Sequence, residues 1–317
     1  MYPAHAEYYF DEGFRKVKPY YKINSYFPCN KNKANRSWND VIMRTFPKTV
    51  DGDQITENCK QGMVFLNYDQ VETLNIPYIN GKLLTFIQYI EEKAVNGATP
   101  QILHDTDGIV VVNKPHGIPI QSKLCYYNCL ANILLHEYGY RDLKAVHRID
   151  EMTSGVQIFA RTRNLANYLI NTAWKDVTKE YVARVTGVFP SHTVVCDRNI
   201  IPLDPVNNVY KYGTTDCVKS GKKAKTIFTR MSTNGRDSIV RCKPLTGRTH
   251  QIRVHLQHLG FPIFKDHLYN QNLKTFDKGG SSVTFSNESY GLHSTKYVIP
   301  GLGMTFKSPH PDWTVLP

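Results

Sequence analysis

The sequence predicts an α+β protein, and three observations carry that expectation. Residues 156–161 and 179–187 alternate apolar with polar side chains, as half-buried strands do. Residues 130–137 and 164–174 repeat their apolar positions at helical spacing. At 317 residues the chain is long enough to bury a sizeable core in one large domain with an appendage.

Taken in order, residues 1–100 differ in texture from the rest and are expected to be an accessory region, either a small RNA-binding module or a packing extension whose basic face is merely solvated. They begin Tyr-rich and basic, with Tyr8, Tyr9, Arg15, Lys16, Lys18, Tyr20 and Tyr21, and hold few periodic segments. Trp38, Val41, Ile42 and Phe46 fall at helical spacing, and residues 62–67 read as a short strand. The catalytic domain is expected over 101–317. Residues 102–104 and 108–113 read as strands, the second ending at Lys114-Pro115-His116-Gly117. The helix over 130–137 closes at Gly139, a residue suited to the left-handed C-cap.

The centre of the chain is residues 145–162, AVHRIDEMTSGVQIFART. It reads as strand, active loop, strand, with turn chemistry at Thr153, Ser154 and Gly155, and it puts Asp150 at a sheet edge facing a cleft. Next comes a helix over 164–174 with Leu165, Tyr168, Leu169 and Ala173 on one face. A strand over 179–187 follows, with Tyr181, Ala183 and Val185 on one side. Residues 191–225 suggest loops or a hairpin insertion ending in the basic cluster 219–225. A strand over 238–243 then leads to a turn at Thr246-Gly247 and to Arg248, His250, Arg253 and His255 set among apolar residues.

Composition narrows the function. With 39 Lys and Arg against 27 Asp and Glu the formal charge is +12, so a polyanionic partner is the natural inference, and 12% aromatic residues suit base stacking. Seven cysteines, odd in number and never spaced C-x-x-C, argue for free thiols in a reducing compartment. The first residues lack an apolar signal core, and Glu7, Asp11 and Glu12 speak against a mitochondrial transit peptide. No run approaches a membrane span. The cytoplasm or nucleus is the expected compartment, and a monomer the expected state.

The motifs exclude several chemistries. No G-x-S-x-G elbow surrounds Ser154, His250 and His255 lack H-E-x-x-H spacing, and no G-x-x-x-x-G-K-[ST] phosphate loop occurs. No metal is expected. Chemistry must then use Asp, Arg and Tyr without a cofactor.

Four blocks, in order, carry a family resemblance. HRIDEMTSG, over residues 147–155, resembles the H-R-L-D-x-x-T-S-G signature of the RluA family of pseudouridine synthases. Asn113-Lys114-Pro115 with Gly117 resembles N-K-P-x-G, residues 179–187 resemble K-x-Y-x-A-x-V-x-G, and residues 246–255 resemble T-G-R-T-H-Q-I-R-V-H. With Gly260, Pro262-Ile263, Asp266, Tyr269 and Leu292-His293, the likeness covers roughly residues 101–300. Any single block is weak evidence; four in register weigh against coincidence.

The resemblance implies the pseudouridine synthase fold, a long, mixed and mostly antiparallel sheet with flanking helices and a central catalytic cleft. It implies that Asp150 is the essential carboxylate of uridine isomerisation, attacking base or ribose. Arg253 would pair with Asp150 and fix it, while Tyr181 would stack on the uracil and its hydroxyl could help move the C5 proton. Arg148 would fill the space an extruded base leaves, and His147, Lys114, Arg248, His250 and Gln251 would shape the loop or contact RNA. Two departures stand out. Lys265 precedes Asp266 where the family usually has Gly, and Glu151-Met152 replaces a commoner basic pair; both lie outside the residues assigned to chemistry.

The lead Tyr8-Tyr9-Phe10 through Arg15-Lys16-Val17 to Pro19-Tyr20-Tyr21 is similar to that of the eukaryotic, tRNA-modifying branch. It implies a uridine in a tRNA anticodon stem-loop, with Arg15, Lys16 and Lys18 on the RNA body. The alternatives are a synthase acting on mRNA or rRNA, a non-catalytic RNA-binding protein that keeps the fold, and a nucleoside hydrolase that would release uracil.

Overall fold

The computed structural model describes residues 7–27, 36–45, 52–121, 127–204, 209–216, 220–270 and 290–317. Phe46, Cys29, Cys125, Cys217 and Lys219, used in the readings above, lie outside the described residues. Two compact units result. Among the described residues the first holds 7–9 and 16–94, and the second holds 10–15 and the chain from Val95 onward.

The chain opens with β1 (Tyr8–Asp11), β2 (Phe14–Val17) and β3 (Tyr20–Tyr26), followed by helices α1 (Trp38–Thr45) and α2 (Gly52–Lys60). Strands β4 (Val64–Leu66), β5 (Asp69–Gln70) and β6 (Leu84–Ile90) complete a four-stranded sheet in the order β3-β6-β4-β5. Helix α1 starts at a reciprocal cap: the Asp40 N–H donates to Ser37 Oγ at 3.1 Å, and the Ser37 N–H donates to Asp40 Oδ2 at 3.2 Å. Its Trp38 and Ile42 pack with Ile55 and Cys59 of α2 and with Val64, Leu84 and Phe86 of the sheet, the helical face expected from their spacing.

In the second unit β7 (Val95–Asn96) pairs with β2, Arg15 lying opposite Val95. Strands β8 (Gln101–Thr106) and β9 (Ile109–Lys114) precede helix α3 (Leu130–Tyr138), which ends on Gly139 at φ 71°. After these come β10 (Lys144–Ala145), β11 (Ser154–Ala160), α4 (Arg163–Asn171), β12 (Thr178–Thr186), β13 (Val194–Asp197) and the hairpin β14 (Asn199–Asp204) with β15 (Val209–Thr215). The unit closes with β16 (Lys225–Thr233), β17 (Asp237–Pro244), α5 (Gln251–His258), β18 (Leu292–Ile299) and β19 (Met304–Lys307). The main sheet runs β13-β16-β17-β12-β18-β11-β9-β8, with β10 beside β11 and β19 beside β18. Its pairings are antiparallel except β11 with β18. The α+β class and the mixed, mostly antiparallel sheet thus match expectation.

Three readings change. Strand β11 is buried on both faces, not one, because Val156 and Ile158 pack toward α4 while Phe159 packs toward α3. It therefore runs through the middle of the sheet, so Asp150, on the loop that enters it, is central and not at an edge. The helix expected to reach residue 174 stops at Asn171 and gives way to a 3-10 turn over Ala173–Asp176, and Tyr168 faces solvent. Its buried face is Ala166 and Leu169, with Ala173 beyond the break.

Gly155 allows the one parallel junction. Its φ is +102°, and a Cβ there would lie 2.1 Å from the Ser294 carbonyl oxygen of β18. Any side chain would push apart the two strands that frame the Asp150 loop.

Candidate active site

Asp150 is held from helix α5. Arg253 is almost fully buried and donates from Nη1 to Asp150 Oδ2 at 3.2 Å. Its other nitrogens are committed elsewhere: Nε to Asp266 Oδ2 at 2.7 Å and Nη2 to Asp266 Oδ1 at 2.9 Å. The guanidinium also lies over the rings of Tyr269 and Tyr290, 4.8 and 5.0 Å from their centroids. Burial works against its charge, but Tyr290, Asp266 and Asp150 outweigh it, and its pKa lies well above the ordinary value. Arg253 is thus a permanent cation fixed by a buried carboxylate, offering one N–H to a carboxylate that is 27% exposed.

Asp266 was placed outside the chemistry by sequence, and the structure makes it the anchor of the site. Lys265 before it adopts φ +61°, a left-handed conformation that glycine takes at little cost and lysine does not. That explains why Gly is the usual residue at this position; nothing in the structure explains the lysine.

Lys114, expected to shape the loop or contact RNA, is fully buried. Its ammonium donates to the carbonyls of Pro115 and Ile118 at 2.8 Å and of Glu151 at 2.7 Å, while the Gly117 N–H joins the same Glu151 carbonyl at 2.9 Å. Burial draws its pKa down to about 7, yet three carbonyls match the three N–H donors of the charged form. Through Lys114 and Gly117 the Asn-Lys-Pro-x-Gly block therefore pins the Asp150 loop.

Gln251 is similarly spent within the protein. It donates to the Lys225 carbonyl and Thr226 Oγ1, and it accepts from Thr246 Oγ1 and the Arg248 N–H, all within 3.0 Å. Arg248 is exposed, with Nε donating to the Lys223 carbonyl at 2.9 Å. His250 sits at φ +55°, its Nε2 4.0 Å from Asp150 Oδ2 and its Nδ1 2.7 Å from the Tyr269 hydroxyl. Burial lowers the His250 pKa.

Tyr181 reaches the site from β12, and its hydroxyl lies 2.7 Å from that of Tyr297 on β18. Burial, with the Asp150 charge adding to it, pushes its pKa up to about 12. His147 lies inward in a cluster of three rings, stacked on Trp174 at 5.2 Å and tilted against Tyr297 at 4.5 Å, with Trp174 and Tyr297 themselves 5.8 Å apart, and burial takes its pKa down to about 3. Its expected RNA contact gives way to an internal one. Arg148, one residue on, is exposed. Arg15 is 1% exposed, ion-paired with Glu137 and placed over the Phe10 ring, so its guanidinium has no face to offer RNA. Lys16 is half-exposed. Among the described residues no three His, Cys, Asp or Glu side chains gather to hold a metal ion.

Sequence reasoning thus missed Asp266, Tyr290 and Tyr297. Only Asp266 left a signal, its place in a matched block; the aromatic partners come from separate strands and loops and carry no local pattern.

A family model described as RNA pseudouridylate synthase matches residues 108–258. "Pseudouridylate synthase RPUSD2" of Mus musculus is 36% identical over 84% of this chain and 47% of its own length. "tRNA pseudouridine(32) synthase, mitochondrial" of Saccharomyces cerevisiae is 34% identical over 83% of this chain and 56% of its own. The chain thus spans about half the length of these two relatives. "RNA pseudouridine synthase 7" of Arabidopsis thaliana is 32% identical over 98% of this chain and 89% of its own. The solved structure titled "Human RNA Pseudouridylate Synthase Domain Containing 1" superposes with a TM-score of 0.52 at 23% identity, over 68% of this chain and 84% of that one, and so has the same fold. By the matched family model and by a relative 32% identical and covered over 89% of its length, this chain belongs to the RluA-type RNA pseudouridylate synthase family.

Proposed function

We propose that this chain converts a specific uridine to pseudouridine in the anticodon stem-loop of tRNA. The observation that carries the reading is the Asp150 carboxylate, anchored through Oδ2 to the buried Arg253–Asp266 pair and still open to solvent. One carboxylate oxygen is held and the other remains for the substrate. In the reaction the bond from ribose C1′ to N1 of uracil breaks, the ring turns, and C1′ bonds to C5. The C5 proton leaves and N1 gains one, so atoms balance without a cofactor. Asp150 serves as the nucleophile or general acid–base group, and Arg253 holds it in place.

Extruding the base costs about a few kcal/mol, least in a loop already partly splayed. Arg148, exposed two residues from Asp150, is suited to fill the gap left in the stack. The tRNA assignment draws support from the lead peptide and from the relative whose name specifies tRNA. We read residues 1–100 as an accessory region that holds the RNA body, supported by the exposed Tyr21 and Tyr89, whose rings meet edge to face at 5.4 Å. A monomer acting in the cytoplasm or nucleus completes the reading, and sedimentation and cell imaging test those two points.

The direct test incubates the chain with unmodified tRNA transcripts, then maps pseudouridine by chemical labelling. One modified position in the anticodon stem-loop, lost with Asp150→Asn, is expected. Modification of mRNA or rRNA alone would overturn the tRNA assignment, and none in any RNA would overturn the isomerase reading.

A further inference from the structure

The Tyr181 hydroxyl ends a chain of hydrogen bonds whose direction can be worked out from its far end. Where β10 stops pairing with β11, the Ile158 N–H loses a backbone acceptor, and His147 Nε2 takes its place at 3.1 Å. A backbone N–H can only donate, so Nε2 must carry the lone pair. The ring is neutral because burial disfavours its charged form. Its proton therefore sits on Nδ1, which faces the Tyr297 hydroxyl at 3.1 Å. Tyr297 accepts that proton's hydrogen bond and turns its own O–H to the Tyr181 oxygen at 2.7 Å. The opposite sense would turn the O–H of the 1% exposed Tyr297 away from Tyr181 toward Ser294 Oγ, which lies near both hydroxyls but meets neither in hydrogen-bond geometry.

Trp174 keeps the ring from turning. Its indole stacks on His147 at 5.2 Å and 28°, while the Tyr297 ring lies 4.5 Å away on the imidazole. The three polar groups come from the Asp150 loop, β18 and β12, so the chain crosses the framework that surrounds the reacting carboxylate.

We propose that His147 and Tyr297 are positioning residues that turn the Tyr181 hydroxyl outward as a hydrogen-bond donor to a carbonyl oxygen of the reacting uracil. This rests on the isomerase reading and deepens it. When the ring leaves C1′, or when a carboxylate adds to it, negative charge collects on the uracil carbonyls, and a preset donor there is worth more than one that must reorient. The chain is an orienting device and not a proton wire: it ends on a peptide N–H, and the His147 lone pair is occupied, so a C5 proton has no site to settle in. Tyr181 is then a donor, and the C5 proton must leave by another group.

The experiment is a double-mutant cycle on pseudouridine formation in a tRNA transcript, using Tyr297→Phe, Tyr181→Phe and both together, with RNA affinity measured alongside. Tyr297→Phe should lower kcat roughly tenfold with KM and affinity kept, a part of the hundredfold or more that deleting an aligned donor costs. In the Tyr181→Phe background it should cost nothing more. Equal losses in both backgrounds would make Tyr297 merely structural and overturn the proposal. Because Tyr297→Phe strips a buried ring nitrogen of its partner and can impair folding, nitrogen NMR on the wild-type protein provides a second reading. The Nδ1–H tautomer of His147 at neutral pH supports the proposal; the Nε2–H tautomer or the cation overturns it. Failure of the wild-type chain to form pseudouridine would instead overturn the isomerase reading, and the proposal with it.

Discussion

Arg253 binds Asp266 through two nitrogens, at 2.7 and 2.9 Å, and spares only Nη1 for Asp150. The buried carboxylate is therefore the one that fixes the arginine, and the solvent-facing one borrows its orientation. Asp266→Asn should strip the buried guanidinium of its buried counter-charge, leaving only the part-exposed Asp150, and cost about 3 to 5 kcal/mol, the range for a broken buried pair. Turnover should fall with it although Asp266 touches no substrate. A urea titration beside a single-turnover assay checks both, and an unchanged unfolding midpoint would contradict the anchoring role.

Asp150→Asn keeps the shape of the loop and removes its charge. Turnover should vanish while tRNA affinity holds within about threefold, since affinity comes mainly from phosphate contacts elsewhere. Filter binding and pseudouridine mapping on the same preparation separate the two effects.

Lys114→Met distinguishes a loop pin from a phosphate ligand. The Pro115 and Ile118 carbonyls would lose their Lys114 donor while that of Glu151 keeps the Gly117 N–H, at about 1 to 3 kcal/mol in total when partial rearrangement is allowed. Stability and kcat should drop while the slope of log affinity against log salt stays the same. A slope smaller by about 0.7 to 0.9 would mean that Lys114 meets a phosphate after all.

Lys265→Gly removes a lysine from φ +61°. Relief of the left-handed conformation is worth about 1 to 2 kcal/mol, and the added freedom of the unfolded chain returns about 0.4 to 1. A net gain below about 1.5 kcal/mol is expected in chemical unfolding, with turnover intact because the Asp266 backbone keeps its path.

Acid should destabilise the fold before it unfolds most proteins. Burial lowers the pKa of His116 and His293 to about 4 and of His147 to about 3, and it also lowers those of His250 and His255. The unfolded chain takes up these protons from the ordinary value near 6.5 downward, while the folded chain refuses them. Between pH 6.5 and about 4 the unfolded state thus binds more protons, and stability falls as pH falls, by at most ~1.4 kcal/mol per pH unit for each such histidine. Unfolding midpoints should change little from pH 7.5 to about 6.5 and decline from there to pH 5, and His293→Gln should flatten the slope.

The sequence by itself determined what is local or repeated: the strand periods of β9 and β12, the helical faces of α1 and α3, the Gly139 cap, and the order of four motifs that brought Asp150, Tyr181 and Arg253 together on paper. Each rests on neighbours within a few residues or on a spaced identity, so it survives without knowledge of packing. What only the tertiary structure decided is which polar groups remain free once the chain has closed. Lys114, Gln251, His147 and Arg15 are hydrophilic letters that sequence assigns to RNA, yet burial obliges each to find partners inside the protein, and those partners lie up to 150 positions away along the chain. Asp266 and Tyr297 gained their roles in the same way, from strands and loops that meet only because the sheet places β12, β18 and β11 side by side.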